Sequence, residues 1–159
     1  MRICTLLLAT LITPLFAQGP EPSVYKADFL IRDSTDAGAK NGRRYTIVLT
    51  RANKGTFRVG NRVPISTEPG SKQFQYYDVG VNIDCTVVES GTKLSIHADL
   101  DLSTASQGEK NPGGNPTISQ VRLNIDTSVV PGKPMIVASF DDPVTSRKFE
   151  VEATIAKVN

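Results

Sequence analysis

His97, Asp99 and Asp101 bring together an imidazole and two carboxylates, the residue types of a metal site or a general acid–base pair. They are spaced by two along a segment in which Leu94, Ile96, Ala98, Leu100 and Leu102 alternate with them, the pattern of a half-buried strand. Alternate residues on one strand stand ~7 Å apart in a row, roughly twice the separation that ligands of one ion tolerate. The spacing therefore predicts a solvated polar face, with no metal, no catalytic residue and no cofactor. His97 is the single histidine, so any Ser or Cys nucleophile would have to use it. Cys85 lies in the opposite kind of row, with Val79, Val81, Ile83 and Val87, which predicts a buried thiol. No Gly-x-Ser-x-Gly elbow, phosphate loop, His-Glu-x-x-His or Cys-x-x-Cys occurs, and the expectation is that the protein is not an enzyme. Asp33 to Gly42 superficially suggests calcium, but Thr35 and Ala37 fall where an EF-type loop supplies oxygens, and Arg44 falls where its Glu belongs.

Charge offers a different chemistry. Lys40, Arg43, Arg44, Arg51, Lys54, Arg58 and Arg62 run with no acid between Asp36 and Glu68, and Asp78, Asp84, Glu89, Asp99, Asp101 and Glu109 dominate the next part of the chain. A basic face of this kind suits an anionic ligand or an acidic partner. Opposite charges on neighbouring strands also pair across a sheet, and this is the expected arrangement. Arg44, Arg58 and Arg62, with the adjacent Tyr76 and Tyr77, are the binding candidates. Of two neighbouring strand aromatics one should face the core.

These residues need strands to hold them, and the chain reads as strands almost throughout. Tyr25 to Ile31, Tyr45 to Thr50, Thr56 to Ile65, Phe74 to Val88, Leu94 to Leu102, Val121 to Val129, Met135 to Phe140 and Phe149 to Ile155 alternate apolar with polar residues or are rich in β-branched ones. Ser90-Gly91-Thr92 should close a long antiparallel hairpin, Pro131-Gly132 and Asp141-Asp142-Pro143 mark further turns, and Ser103 to Pro116 has the Ser, Gly, Asn and Pro content of a surface loop. No helical periodicity is sustained. The prediction is one all-β domain, an antiparallel β-sandwich or a partly closed β-barrel.

Of the 159 residues, 39% are hydrophobic and the formal net charge is +2, an ordinary globular profile too neutral to imply nucleic-acid binding. Met1-Arg2 followed by the apolar Ile3 to Phe16 and the small Ala17 has the order of a secretory signal. The run is shorter than the ~20 residues of a spanning helix. Residues 1–17 are read as a signal peptide and residues 18–159 as a single exported domain with no transmembrane helix. Only Cys85 remains after cleavage, which precludes an internal disulfide.

Arg62-Val63-Pro64, followed by Phe74-Gln75-Tyr76-Tyr77-Asp78-Val79-Gly80-Val81-Asn82-Ile83, resembles the stretch of bacterial secretins in which an aromatic segment leads into an Asp-Val-Gly-Val strand. Pro116-Thr117-Ile118-Ser119-Gln120-Val121-Arg122, with Gly132 and Ile136-Val137 beyond, is similar to the Pro-x-Ile and Arg-containing strand before a Gly turn in the same β-domain. The resemblance covers about Thr56 to Ala138. Ala138-Ser139-Phe140 replaces the family's Gly-Gly-Leu step, and the gate, the lip and the N-terminal modules have no counterpart. It implies an exported, non-catalytic structural or protein-interaction component of a bacterial cell envelope, in the periplasm or at the outer membrane. The implied partner is an envelope protein or a secretion or pilus component, with the oligomeric state open. The alternative is a periplasmic module for a small or anionic ligand.

Overall fold

A computed structural model describes residues 22–33, 42–67, 73–106, 115–142 and 147–158. The signal segment 1–17 and most of the Asp33 to Gly42 loop lie outside the described residues.

Eight strands form two four-stranded antiparallel sheets stacked as a sandwich, not closed into a barrel. The first sheet has the order β2-β1-β8-β7, built from β1 (Val24–Asp33), β2 (Gly42–Thr50), β7 (Met135–Asp141) and β8 (Lys148–Val158). The second is the meander β3-β4-β5-β6, built from β3 (Lys54–Ser66), β4 (Phe74–Ser90), β5 (Lys93–Ser106) and β6 (Thr117–Val129). The alternation in sequence becomes the two inner faces. Tyr25, Ala27, Phe29, Val151, Ala153 and Ile155 of the first sheet pack against Ile83, Cys85, Val87, Ile96, Ala98 and Leu100 of the second, all essentially without solvent contact. Tyr45 of β2 meets Phe57 of β3 across the two sheets with ring centroids 5.6 Å apart. At the turn where the chain passes between the sheets, the backbone N–H of Ala52 donates to the carbonyl of Val87 at 2.9 Å.

The hairpin of β4 and β5 turns at Gly91, whose φ of +61° is left-handed and cheap only for glycine. Gly132, φ +72°, turns between β6 and β7 in the same way. Two expectations need correction. Ser103 to Ser106 is not loop but the end of β5, paired with β6 down to Ser106 opposite Thr117. Small, mostly polar side chains suffice from Thr104 to Ser106 because these residues are exposed and the ladder is held by backbone bonds. Tyr76 and Tyr77 are both exposed, at 61% and 40%. β4 outruns the first sheet at this end, so the inward-pointing side chain finds no opposite layer.

Candidate functional site

β4 pairs with β5 only from Val81 opposite Leu102 onward, while its pairing with β3 continues to Phe74 opposite Ser66. At that level the second sheet divides into two ribbons, β3 with β4 and β5 with β6. Gly60 and Gly80 face each other at the division. A Cβ on Gly80 would lie 2.1 Å from the carbonyl oxygen of Val59, and one on Gly60 would lie 2.3 Å from that of Val79. Only glycine permits this approach, and the φ of Gly80, +152°, favours it further. The buried hydroxyl of Ser103 replaces the lost ladder: it accepts from the N–H of Gly80 at 2.9 Å and donates to its carbonyl at 3.4 Å.

The ribbon of β3 and β4 beyond this point carries exposed apolar side chains on both faces. Pairing and alternation put Phe74 and Tyr76 with Pro64 on one face, above the Arg62–Asp78 ion pair at 3.0 Å, and Tyr77 with Val63 on the other. Among the described residues β3 and β6 are the outer strands of the sheet, each 13 residues long, or roughly 40 Å, and each laddered to a single neighbouring strand. Lys54, Arg58, Arg62 and Pro64 on β3 are the residue types that keep such an edge from indiscriminate pairing.

Several carboxylates on the polar outer face of the second sheet are matched by partners within the sheet. Asp84 accepts from Lys54 at 2.8 Å, Thr56 at 2.9 Å and Arg58 at 3.4 Å. The Lys54 ammonium, with Thr56 and Arg58, holds the Asp84 carboxyl below the ordinary carboxylate range against the opposing effect of burial. Asp101 accepts from Gln120 at 2.8 Å and Arg122 at 3.3 Å, and Asp99 accepts from Asn124 at 2.6 Å. A shallow depression among Arg58, Asn82, Asp84, Asp99, Asp101 and Arg122 holds charges of both signs already matched to each other. His97 stands in this face, half exposed, 3.6 Å from Asp99 and 4.0 Å from Asp126. Among the described residues no group of three His, Cys, Asp or Glu side chains is placed to hold a metal.

Cys85 is on the other side of the strand, 1% exposed, and burial pushes its thiol up to about 12, the reverse of an activated nucleophile. The structure therefore keeps the imidazole and the thiol on opposite faces, as the alternation predicts. The predicted cross-sheet charge pairing is also present: Arg58 with Asp84, Arg62 with Asp78, Lys54 with Asp84 and Arg51 with Glu89. Arg62 and Tyr76 share one face of the distal ribbon, Tyr77 lies on its other face, and Arg58 lies on β3 before the Gly60 division. Arg44 is apart from them, on β2 of the first sheet, where its charge acts on Asp28. The Gly60–Gly80–Ser103 junction is not among the sequence-based candidates; its signal is glycine inside otherwise regular strand patterns.

No helix among the described residues is long and apolar enough to cross a membrane, which leaves crossing by strands unaddressed. No protein-family model matches the sequence, and no curated protein resembles it at the sequence level. Solved structures do. The secretin of the enterotoxigenic Escherichia coli pilotin–secretin complex AspS–GspD superposes with a TM-score of 0.59 at 8% identity, covering 88% of this chain and 50% of that one. The type II secretion system outer membrane complex of Klebsiella pneumoniae gives 0.56 at 11% identity over 86% of this chain and 39% of that one. The Salmonella type III secretion injectisome secretin InvG gives 0.52 at 9% identity over 86% and 62%. The likeness extends well beyond the Thr56 to Ala138 stretch, and the chain spans less than two thirds of each of these secretins. Two stacked sheets, the second a long-stranded meander, are thus the fold that this chain shares with the secretins of type II and type III secretion systems.

Proposed function

We propose that the protein is an exported, non-catalytic, secretin-like component of a bacterial cell envelope, acting in structure or in protein interaction through the free edges and distal ribbon of its second sheet. The observation that carries this reading is a packed core combined, among the described residues, with two long outer strands in the second sheet. Among the described residues, side chains from Tyr25 to Ile155 pack the sandwich interior, while β3 is an outer strand of the second sheet beside exposed Phe74, Tyr76 and Tyr77. Strand addition to such an edge draws affinity from backbone hydrogen bonds and specificity from alternate side chains. Arg58, Arg62, Tyr76 and Tyr77 would supply that specificity. The ligand-module alternative needs a free cation, whereas Arg58 and Arg62 already face Asp84 and Asp78. Residues 1–17 act as the signal peptide in this reading, delivering the domain to the periplasm or the outer membrane, and the partner is an envelope protein or a secretion or pilus component.

Site-specific photo-cross-linking in cells tests it. A photoreactive residue at Val59 or Asn61 of β3 is expected to give discrete adducts with an envelope protein or with another copy, and one at Thr154 of the first sheet to give none. Adducts from Thr154 alone, or export failure of the intact chain, would overturn the reading.

A further inference from the structure

β3 and β6 are the two outer strands of the second sheet, separated by β4 and β5, yet Asn115, just ahead of β6, reaches the end of β3. The backbone N–H of Ser66, the last residue of β3, donates to Asn115 Oδ1 at 2.7 Å, and Asn115 Nδ2 donates to the carbonyl of Ser66 at 2.7 Å. In an antiparallel ladder successive residues turn their N–H and C=O to opposite sides. Thr67 turns its N–H inward, to the carbonyl of Gln73 at 3.2 Å. Ser66 therefore presents its pair outward, to the free edge, and the amide of Asn115 meets both groups as the backbone of a neighbouring strand would. Asn115 lies two residues before β6 begins at Thr117. The sheet that divides internally at Gly80 is closed again externally by this side chain.

We propose that Asn115 is an intramolecular clasp that occupies the β3 edge in place of a strand from a second copy of this chain, so that self-association through the second sheet requires its release. The second copy is the occupant that the geometry favours. The clasping residue leads into the opposite free edge of the same sheet, so the contact one chain makes with itself is the start of the head-to-tail edge contact that two chains would make. The two bonds are exposed and local, and they are exchanged for equivalent ones when a strand replaces the side chain. The inference rests on the edge-contact reading above.

Sedimentation of the purified exported protein across a concentration series tests the clasp with three proteins: the unaltered chain, Asn115→Ala and Ser66→Pro. Asn115→Ala removes the clasp and leaves the edge, and is expected to assemble at about tenfold lower concentration than the unaltered chain. Ser66→Pro removes the outward N–H that both the clasp and an added strand need, and is expected to remain monomeric. Asn115→Ala assembling like the unaltered chain while Ser66→Pro does not assemble would overturn the clasp and leave the edge reading standing. Ser66→Pro assembling like the unaltered chain would instead overturn the role of the edge. Monomers throughout would overturn the clasp, with the envelope reading then resting on the cross-linking result.

Discussion

Cys85 and Asp84 sit one residue apart on β4 and titrate in opposite directions because they face opposite media. The thiol is sealed in the core, where the charged form is penalised, so it stays neutral up to about 12 against 9.0 when exposed. Its contribution to stability is complete below pH 9 and is lost as pH rises from 9 toward 12, at up to about 1.4 kcal/mol per pH unit. The native protein should accordingly resist thiol reagents at pH 8 and react fully only in denaturant, which a thiol-titration time course with and without urea measures. Asp84 is the converse: its carboxyl is held low by Lys54, Thr56 and Arg58. Glu89, bonded first by Tyr25 and then by Lys157, is held low as well. Groups lowered on folding stabilise the native state above their unfolded values, near 4, and that contribution disappears as pH falls through the folded values. Asp84→Asn should lower stability at pH 7 by roughly 1 kcal/mol and make little difference at pH 2, read from urea denaturation at the two pH values. That Cys85 and Asp84 face opposite ways was legible in the sequence, because strand alternation alone assigns side chains to faces. That Asp84 gathers three partners was not, since it depends on β3 lying beside β4 with Thr56 opposite Asp84.

At the scale of the strand pair, the junction of Gly60, Gly80 and Ser103 decides where the second sheet splits. Gly80→Ala would drive a methyl group into the Val59 carbonyl and should destabilise by about 1–3 kcal/mol, loosening the ribbon beyond it. Gly91, also left-handed but with nothing within 4 Å of its would-be Cβ, offers a control in which only backbone strain is added. Urea denaturation gives the energies, and hydrogen exchange of Val79 and Gly80 shows whether the ribbon opens in Gly80→Ala and stays shut in Gly91→Ala. The β4–β5 hairpin itself could be read in advance, because Val79 to Val87 and Leu94 to Leu102 alternate without interruption around Ser90-Gly91-Thr92. The end of β5 could not. Ser103 to Ser106 has the composition of a loop, and only its pairing with Thr117 to Gln120 makes it strand.

At the scale of the molecule, two sheets share one core, and a substitution is costly in proportion to how much of that core it empties. Phe29, fully buried at the centre of β1, should cost about 3–5 kcal/mol as Phe29→Ala. His97→Ala, on the solvated face, should stay within about 0.5 kcal/mol of the unaltered protein. Thermal and urea unfolding of the two variants side by side checks both. A large effect of His97→Ala would mean that its place between Asp99 and Asp126 does more than sit in solvent.

Fold class and the sidedness of each strand were determined by sequence alone, because side-chain alternation is a local property that each segment carries with it. Which sheet extends past the other, and so whether Tyr76 and Tyr77 are covered, was decided only in three dimensions: burial needs an opposing layer, and that layer comes from β1 and β8, at the far ends of the chain. The meeting of Ser66 and Asn115 has the same origin. Neither residue carries a pattern of its own, and the two bonds exist only because the sheet brings its first and last strands within reach of each other.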